Sequence, residues 1–293
     1  MKPLRSGYRA TSMVGGPECE SLERELEAYY SVPYARVFNS GTSALHAAVA
    51  VTPWDTFYVP AYSMSASAAC VLHAGRRLKF TDIADDYCAV PEGDYPHVIV
   101  HLFGHHATRL PANQVIHDCA QSPSVRPDMA RYGDIWVYSL NQSKVIDCGE
   151  GGYALTFDKD IATRLHAVRN HGDVWTSDIL GYNLRMTEMQ AAIARTEFRV
   201  LDRRLIERQR WAARIRLEHD LPDDPSNVDW FLYPIRCKPE HRQALADRVG
   251  GRIGYHLPIP DLPYYKSRNY QTPEHTRLVE SELVVVDPAE SGL

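Results

Sequence analysis

The feature that most constrains the fold is a regular alternation between short apolar runs and longer mixed segments. The mixed segments at residues 43–51 and 65–73 are helix-like. Strands that alternate with helices predict a largely parallel sheet covered by helices on both faces. The runs that we interpret as strands are Thr56–Val59, Arg77–Thr81, His97–Leu102, Gln114–His117, Ile135–Tyr138 and Gly152–Thr156. In such sheets, ligands bind at the carboxyl ends of the strands.

Two residues close to predicted strand ends suggest one kind of chemistry. Asp118 ends the run Val115–Asp118, and Lys144 follows the apolar run Trp136–Leu140. A lysine amine can form a Schiff base with the aldehyde of pyridoxal phosphate. An aspartate can keep the pyridine nitrogen of that cofactor protonated, so that the ring accepts electrons from a substrate carbanion. Neither residue decides the matter alone, because most lysines are solvated surface charges and most aspartates at strand ends cap turns.

A third segment, Phe38–Leu45, is a turn of small residues that opens a helix. Gly41 lets the backbone approach an anion, and Thr42 and Ser43 can donate N–H and hydroxyl hydrogen bonds to it. The helix dipole adds roughly 0.3–1 kcal/mol of favourable field for a phosphate. The alternative interpretation is an ordinary helix N-cap, since Ser and Thr are common there.

Together, these segments resemble the DegT/StrS-type family of pyridoxal-phosphate-dependent sugar aminotransferases. The resemblance extends from about residue 15 to about residue 201 and is weaker beyond. It rests on Asn39–Leu45, His101–Gly104, Asp118–Gln121, Ser139–Lys144, Gly149–Gly152, Arg169–Gly172 and Gly181–Met186, which occur in the family's order, with Tyr255–Pro260 as the main match in the last third.

The resemblance implies an α/β fold of the fold-type-I class. It implies a large domain with a mainly parallel, seven-stranded type of sheet between helices. A shortened α+β small domain follows at the C-terminal end. We place the large domain with its N-terminal arm at residues 1–204 and the small domain at residues 205–293.

The resemblance also assigns roles to individual residues. Lys144 forms the Schiff base, Asp118 pairs with the pyridinium nitrogen, and Gln121 lies near the phenolic oxygen. Thr42 and Ser139 bind the phosphate. Asn183 reaches the phosphate of the neighbouring subunit, which implies a homodimer with shared active sites. The other cofactor-binding residues implied are Gly41, Ser43, Met64 and Ala120.

Two positions depart from the family pattern. Met64 stands where an aromatic residue usually stacks on the cofactor ring, and a thioether can cover the ring instead. Tyr62 could replace Met64 only if the loop were shifted in register. Asn141 stands where some members carry a histidine near the substrate. The candidate substrate-binding residues are Asn141, Arg185 and His256.

Beyond Tyr182, apolar residues are spaced three and four apart, which predicts one long amphipathic helix from Met186 toward Arg216. A polar breaker cluster follows at 221–227, and a strand is expected within 230–236. The basic run at 203–210 is interleaved with Leu205 and Ile206, so we interpret it as a solvated helix face.

Composition excludes several other function classes. Lys and Arg total 32 against 37 Asp and Glu, and the resulting net charge of −5 offers no general attraction for nucleic acid or anionic membranes. The chain shows no secretory signal and no apolar membrane span, so the cytoplasm is the expected location. The six cysteines lack metal-ligand spacing and are expected to be reduced and mostly buried.

Histidines supply the main competing chemistry. His101, His105, His106 and His117 lie close in sequence, and imidazoles are common metal ligands. His101 ends an apolar run and Gly104 turns the chain, so these ligands would not share a face. We therefore predict no metal site and expect these histidines to line the mouth of the cleft.

The expected activity is transfer of an amino group from glutamate or glutamine to a keto sugar, nucleotide-linked, or to a related polar ketone. Lys144 is central, because relatives that dehydrate sugars carry a histidine at that position. Two alternatives stay open. One is another pyridoxal phosphate reaction, decarboxylation or elimination, on a non-sugar amine. The other is a non-catalytic protein that keeps the fold for regulation.

Overall fold

The computed structural model describes residues 16–172, 179–222 and 228–288. The helices are α1 (Pro17–Tyr30), α2 (Gly41–Val51), α3 (Ala66–His73), α4 (Lys159–Arg169), α5 (Glu188–Phe198), α6 (Leu201–Glu218), α7 (Arg242–Val249), α8 (Pro263–Lys266) and α9 (Glu274–Glu282). The strands are β1 (Tyr34–Phe38), β2 (Thr56–Pro60), β3 (Arg77–Thr81), β4 (His97–Val100), β5 (Val115–Asp118), β6 (Ile135–Ser139), β7 (Gly152–Thr156), β8 (Tyr233–Arg236), β9 (Arg252–Ile253) and β10 (Leu283–Val286).

The chain forms two compact units, and each unit is built from two separated segments. The first unit contains Met1–Pro53 and Arg126–Leu201, and the second contains Trp54–Val125 and Asp202–Leu293. The domain boundary that the sequence places near residue 204 stays a prediction. The strand order is β1-β7-β6 in the first unit and β5-β4-β2-β3 in the second.

In the first unit, β7 pairs antiparallel with both β1 and β6. The register places Gly152 opposite Phe38 on one side and opposite Ser139 on the other. This arrangement matters for the site, because α2 begins three residues after Phe38. In the core of this unit, the hydroxyls of Tyr30 and Tyr153 are hydrogen bonded at 2.8 Å.

Helices α1 and α5 are joined by charged side chains in the first unit. The Glu188 carboxylate accepts hydrogen bonds from the N–H groups of Glu18 and Cys19 in the first turn of α1. An anion at a helix N-terminus satisfies backbone donors that lack a partner within the helix. Arg195 of α5 donates to the carboxylates of Glu18 and Glu25.

In the second unit, β2, β3, β4 and β5 pair in parallel. A three-stranded antiparallel sheet, β8-β10-β9, comes from the C-terminal segment. Both segments share one core, in which Tyr62, Val100 and Phe103 cluster with Leu283 and Val285. The Asp82 carboxylate also accepts hydrogen bonds from the backbone of His275 and Thr276 at the start of α9.

The structure corrects two local predictions. Strand β1 lies in a segment that the sequence did not mark as a strand. The single long helix predicted from Met186 is wrong, because α5 ends at Phe198 and α6 begins at Leu201. The chain turns between them, where the Val200 N–H donates to the Glu197 carbonyl at 3.0 Å. Phe198 and Leu201 are both buried, so the apolar spacing continues across the break and hides it.

Other predictions have mixed outcomes. All six cysteines are described, no disulfide joins them, and five are buried, as expected. The breaker cluster lies mostly outside the described residues, at 223–227. Among the helices that the structure describes, none is long and apolar enough to cross a membrane.

Candidate active site

The N-terminus of α2 is the best-formed anion site in the first unit. Ser40 is the N-cap, and its Oγ accepts from the Ser43 N–H at 3.1 Å and donates to Ser43 Oγ at 2.9 Å. In the part of the chain that the structure describes, the N–H groups of Gly41 and Thr42 donate to no protein atom. These two donors point out of a helix N-terminus, which is the arrangement that binds phosphate in proteins. The N-cap and the anion site are therefore separate residues of one turn.

Two glycines allow this turn to lie against the ends of β6 and β7. A Cβ added at Gly41 would lie 2.8 Å from Ser139 Cβ and 3.2 Å from Ser139 Cα. A Cβ added at Gly152 would lie 2.5 Å from the Gly41 nitrogen. The close approach brings together Gly41, Thr42, Ser43 and Ser139. These are the residues of this unit that we predicted from the sequence to lie around the cofactor phosphate.

Lys144 lies in the connection between β6 and β7. The Leu140 N–H donates to the Gly151 carbonyl, and the Cys148 N–H donates back to the Leu140 carbonyl at 3.0 Å. The Lys144 N–H donates to the Asn141 carbonyl at 2.8 Å and closes a turn. These backbone hydrogen bonds fix the half-buried Lys144 at a defined position in the loop.

Asn141, a predicted substrate residue, has an internal role in the same loop. Its Oδ1 accepts from the Ser143 N–H and hydroxyl, and its Nδ2 donates to the Glu150 carboxylate at 2.7 Å. The Glu150 carbonyl in turn accepts from the Gln190 side chain. The side chain of Asn141 thus holds the loop in shape, and its contact with substrate stays a prediction.

In the second unit, Asp118 ends β5 and is buried. Its Oδ2 accepts from Ser67 Oγ at 2.7 Å, and its Oδ1 accepts from the Ala120 N–H at 3.1 Å. Donors to a carboxylate favour its charged form. Burial raises the pKa of the nearby Cys70 thiol, and the Asp118 charge raises it further.

Gln121 is held by two contacts in the second unit. Its Oε1 accepts from the Phe103 N–H at 2.6 Å, and its Nε2 donates to the Tyr255 hydroxyl at 2.8 Å. Burial raises the pKa of Tyr255 to about 12, so the phenol is neutral near pH 7. Because Gln121 donates to the Tyr255 oxygen, the phenol proton is left to donate elsewhere. The sequence predicted the segment around Tyr255 but did not select this residue.

Residues Met64 and Tyr62 take opposite environments. Met64 is 51% exposed, whereas Tyr62 is fully buried in the core cluster of the second unit. Tyr62 therefore does not take the place of Met64, and ring stacking by Met64 stays a prediction. His256 is exposed and its ring lies 4.0 Å from that of Tyr255.

The expectation that the four histidines line a cleft mouth is wrong for three of them, and only His106 is half-buried. His101, His105 and His117 are buried in the second unit. His101 Nδ1 accepts from the Ala107 N–H, so its proton lies on Nε2 and points to His117 Nδ1 at 3.2 Å. Burial lowers the pKa of His101 far below its usual value. Among the described residues, no cluster of His, Cys, Asp and Glu has the arrangement of a metal site.

Asn183 is exposed on the first unit, in the segment that precedes α5. It forms an antiparallel bridge with Asn170, whose Oδ1 accepts from Arg185 at 3.0 Å. The N-cap of α5 is Thr187, paired with Gln190 in a capping box. Asn183 is therefore not the cap of this helix.

Comparison with known proteins decides the family. The model of the DegT/DnrJ/EryC1/StrS aminotransferase family matches residues 4–286. The chain belongs to this family. A relative from Acidithiobacillus ferrooxidans, UDP-N-acetyl-3-dehydro-alpha-D-glucosamine 3-aminotransferase, is 30% identical over an alignment that covers 84% of this chain and 77% of the relative.

Solved structures of the family share the fold. DesV from S. venezuelae superposes with a TM-score of 0.80 at 25% sequence identity and covers 96% of this chain and 85% of its own. NtdA from Bacillus subtilis, solved with its cofactor PMP, superposes with a TM-score of 0.77 at 24% identity and covers 95% of this chain and 75% of its own. The predicted fold-type-I architecture is confirmed, and the protein is a pyridoxal-phosphate-dependent aminotransferase.

The residues present fit this cofactor. The turn at Gly41 and Thr42 offers backbone donors to a phosphate dianion, and Ser139 adds a hydroxyl close by. Asp118 offers a buried carboxylate with two donors already in place. Sequence reasoning missed Ser67, which donates to Asp118, although a serine in the first turn of a predicted helix was visible in the pattern.

Proposed function

We propose that this aminotransferase transfers an amino group from glutamate or glutamine to the carbonyl carbon of a nucleotide-linked keto sugar. The family match over residues 4–286 carries the proposal. The relative from Acidithiobacillus ferrooxidans is named for a UDP-linked sugar ketone, which supports the acceptor class. We also propose the cytoplasm as the location.

Lys144 and Asp118 have the central roles in the proposed reaction. The bound cofactor supplies an electron-accepting ring that makes the proton on the donor Cα acidic. Lys144 would hold the cofactor aldehyde through its amine, and the same amine would take and return the proton at the donor Cα. The backbone contacts of Lys144 support this role, because they hold the residue at a defined position in the loop. Asp118 keeps the ring nitrogen charged.

Phosphate binding is assigned to the N-terminus of α2. The N–H groups of Gly41 and Thr42 supply two donors, and the hydroxyls of Thr42, Ser43 and Ser139 lie in or beside the same turn. This binding fixes one end of the cofactor without taking part in proton transfer. We assign Ala120, Gln121 and Met64 to the cofactor ring.

We propose a homodimer with shared sites, in which Asn183 acts on the partner's cofactor. Exposed apolar side chains surround Asn183 in the chain: Leu180 is 86% exposed and Met189 is 75% exposed. Tyr182 and Ile193 add to this stretch, and Met189 and Ile193 lie one turn apart on α5. Large exposed apolar patches mark interaction sites in proteins. A second copy related by two-fold symmetry would bury this surface.

The direct test is an acceptor screen. The purified protein, supplied with pyridoxal phosphate and glutamate or glutamine, is incubated with UDP-, dTDP- and GDP-linked keto sugars, and the amino sugar is measured by mass spectrometry. We expect an amino sugar from at least one acceptor, and no product from the Lys144→Ala control. Release of carbon dioxide or ammonia without an amino sugar would instead favour decarboxylation or elimination.

Subunit mixing tests the shared site. A hybrid dimer of Asn183→Ala and Lys144→Ala chains contains one site with both defects and one intact site. We expect the mixture to recover activity that neither parent homodimer has. Full activity of Asn183→Ala alone, or no recovery in hybrids verified by mass spectrometry, contradicts the role of Asn183 across the interface.

A further inference from the structure

We propose that Ser67 is a positioning residue that holds Asp118 in its charged form against the cofactor ring nitrogen, and that Ser63 orients Ser67. The inference rests on the proposed role of Asp118 and extends it to two hydroxyls that touch neither substrate nor cofactor in the proposal. It links the loop that holds Ser63 and Ser67 to the protonation of the ring nitrogen.

The hydrogen bonds run in one direction. Ser67 Oγ lies 2.7 Å from Asp118 Oδ2 and 3.0 Å from Ser63 Oγ. A serine hydroxyl has one proton to donate. An ionised carboxylate only accepts, so the Ser67 proton goes to Asp118 and the Ser63 hydroxyl must donate to Ser67. The result is a two-step relay, Ser63 to Ser67 to Asp118, in which each donor strengthens the next.

The local chain explains why these two serines meet. Ser63 follows the end of β2, and Ser67 lies in the first turn of α3, one helical turn further on. The Ser67 N–H donates to the Met64 carbonyl at 3.1 Å, which fixes the start of the helix. Both serines are buried, with exposed fractions of 2% and 0%. The loop therefore presents Met64 outward and the two hydroxyls inward.

The two serine hydroxyls matter for the charge of Asp118 because this carboxylate is buried. Burial disfavours a charged carboxylate, and without donors the proton shared with a pyridinium would move toward the carboxylate oxygen. The Ser67 hydroxyl and the Ala120 N–H each bind one carboxylate oxygen and so favour the charged form. A carboxylate held this way leaves the proton on the ring nitrogen. Loss of Ser67 should weaken this effect while the fold stays intact.

The experiment compares two cofactors on one set of variants. Apo-protein is titrated with pyridoxal phosphate and with its 1-deaza analogue, which lacks the ring nitrogen. We expect Ser67→Ala to lose about ten-fold in affinity for pyridoxal phosphate, the scale of one hydrogen bond to a charged group. The same variant should bind the deaza analogue almost as the parent does. Ser67→Thr, which keeps the hydroxyl, should restore the preference for the natural cofactor.

Thr81→Val is the matched control, since Thr81 is also a fully buried hydroxyl of the same unit and its Oγ1 has no hydrogen-bond partner in the described structure. Thr81→Val should change neither the affinity for pyridoxal phosphate nor the affinity for the deaza analogue. Equal losses for both cofactors in Ser67→Ala would mean a packing role and overturn the inference. If Ser67→Ala does not fold, Ser63→Ala is tested instead. It should lose less affinity for pyridoxal phosphate than Ser67→Ala is expected to lose, and it should bind the deaza analogue as the parent does. Equal losses of affinity for the two cofactors in Ser63→Ala, or no loss for either, would overturn the relay.

An Asp118→Asn arm separates this inference from the proposed function. If Asp118→Asn abolishes the preference for pyridoxal phosphate over the deaza analogue and Ser67→Ala leaves it intact, only the positioning role fails. If Asp118→Asn keeps the preference, the role of Asp118 itself fails, and the relay with it. Ring-nitrogen protonation, followed by ¹⁵N NMR of labelled cofactor, gives a second readout. In Ser67→Ala, a larger fraction of the ring nitrogen should be neutral than in the parent.

Discussion

The substitution Gly41→Ala tests the cofactor site at its closest backbone approach. The new Cβ would lie 2.8 Å from Ser139 Cβ and 3.2 Å from Ser139 Cα, distances at which something must move. Ser139 Cα belongs to the end of β6 and cannot rotate away as a flexible side chain could. The start of α2 must therefore move away from β6, which displaces the Gly41 and Thr42 donors from Ser139.

Overpacking of this kind costs about 1–3 kcal/mol, or roughly 5- to 150-fold in an equilibrium constant. If the start of α2 shifts, phosphate binding becomes weaker by this amount. If the start of α2 does not shift, the free energy of unfolding decreases instead. We expect most of the cost to appear in binding, because the displaced residues, Gly41 and Thr42, carry the proposed phosphate donors themselves.

Fluorescence titration of apo-protein with pyridoxal phosphate measures the affinity for the cofactor. Urea unfolding of the apo-protein measures the free energy of unfolding. Gly133→Ala is the matched control, because a Cβ there meets nothing within 4 Å. It should leave affinity unchanged and can stabilise slightly through the unfolded chain. Parental affinity in Gly41→Ala would refute the assignment of this turn to the phosphate.

The remaining predictions concern the reacting residues and pH. Lys144→Ala should lower turnover by at least about 10²-fold, the share that general acid–base catalysis supplies, and borohydride reduction should no longer attach cofactor to the protein; an adduct on another lysine would contradict the assignment. Asp118→Asn should cut turnover about ten-fold or more with little change in the melting temperature, and near-parental turnover would contradict its role. Burial lowers the pKa of His97 and His105 to about 4 from 6.5, so the unfolded chain binds protons first, and the free energy of unfolding should fall as pH drops from 6.5 to about 4. His105→Phe, which keeps the ring between Tyr87 and Trp230, should reduce that fall in urea titrations, and an unchanged slope would contradict the cause.

The sequence predicted the elements whose pattern is local. The six predicted runs became strands β2 to β7, and all of these strands except β3 are buried along most or all of their length, which makes them nearly continuous in apolar residues. The turn at Gly41 was also visible, since small residues before a helix have few other uses. The break between α5 and α6 was not visible, because Phe198 and Leu201 keep the helical spacing while the chain turns.

The contacts around the candidate site depend on long-range packing. Nothing in the local pattern shows that Ser67 meets Asp118, 51 residues away, or that Tyr255 meets Gln121, 134 residues away. Burial of His101 likewise depends on which residues cover the end of β4. Sequence reasoning could choose residue types that suit the chemistry, but the partners that tune them come from packing.

The division of the chain has a consequence for folding. The second unit joins Trp54–Val125 to Asp202–Leu293, so its core waits for a segment that the ribosome makes much later. Val100 and Phe103, close to Asp118 in the chain, pack with Leu283 and Val285 of β10. Closing so long a loop is slow, since its entropy cost comes before any contact is gained. The part of the candidate site that carries Asp118 should therefore form only after β10 has been made, and a nascent chain released before β10 should bind no cofactor.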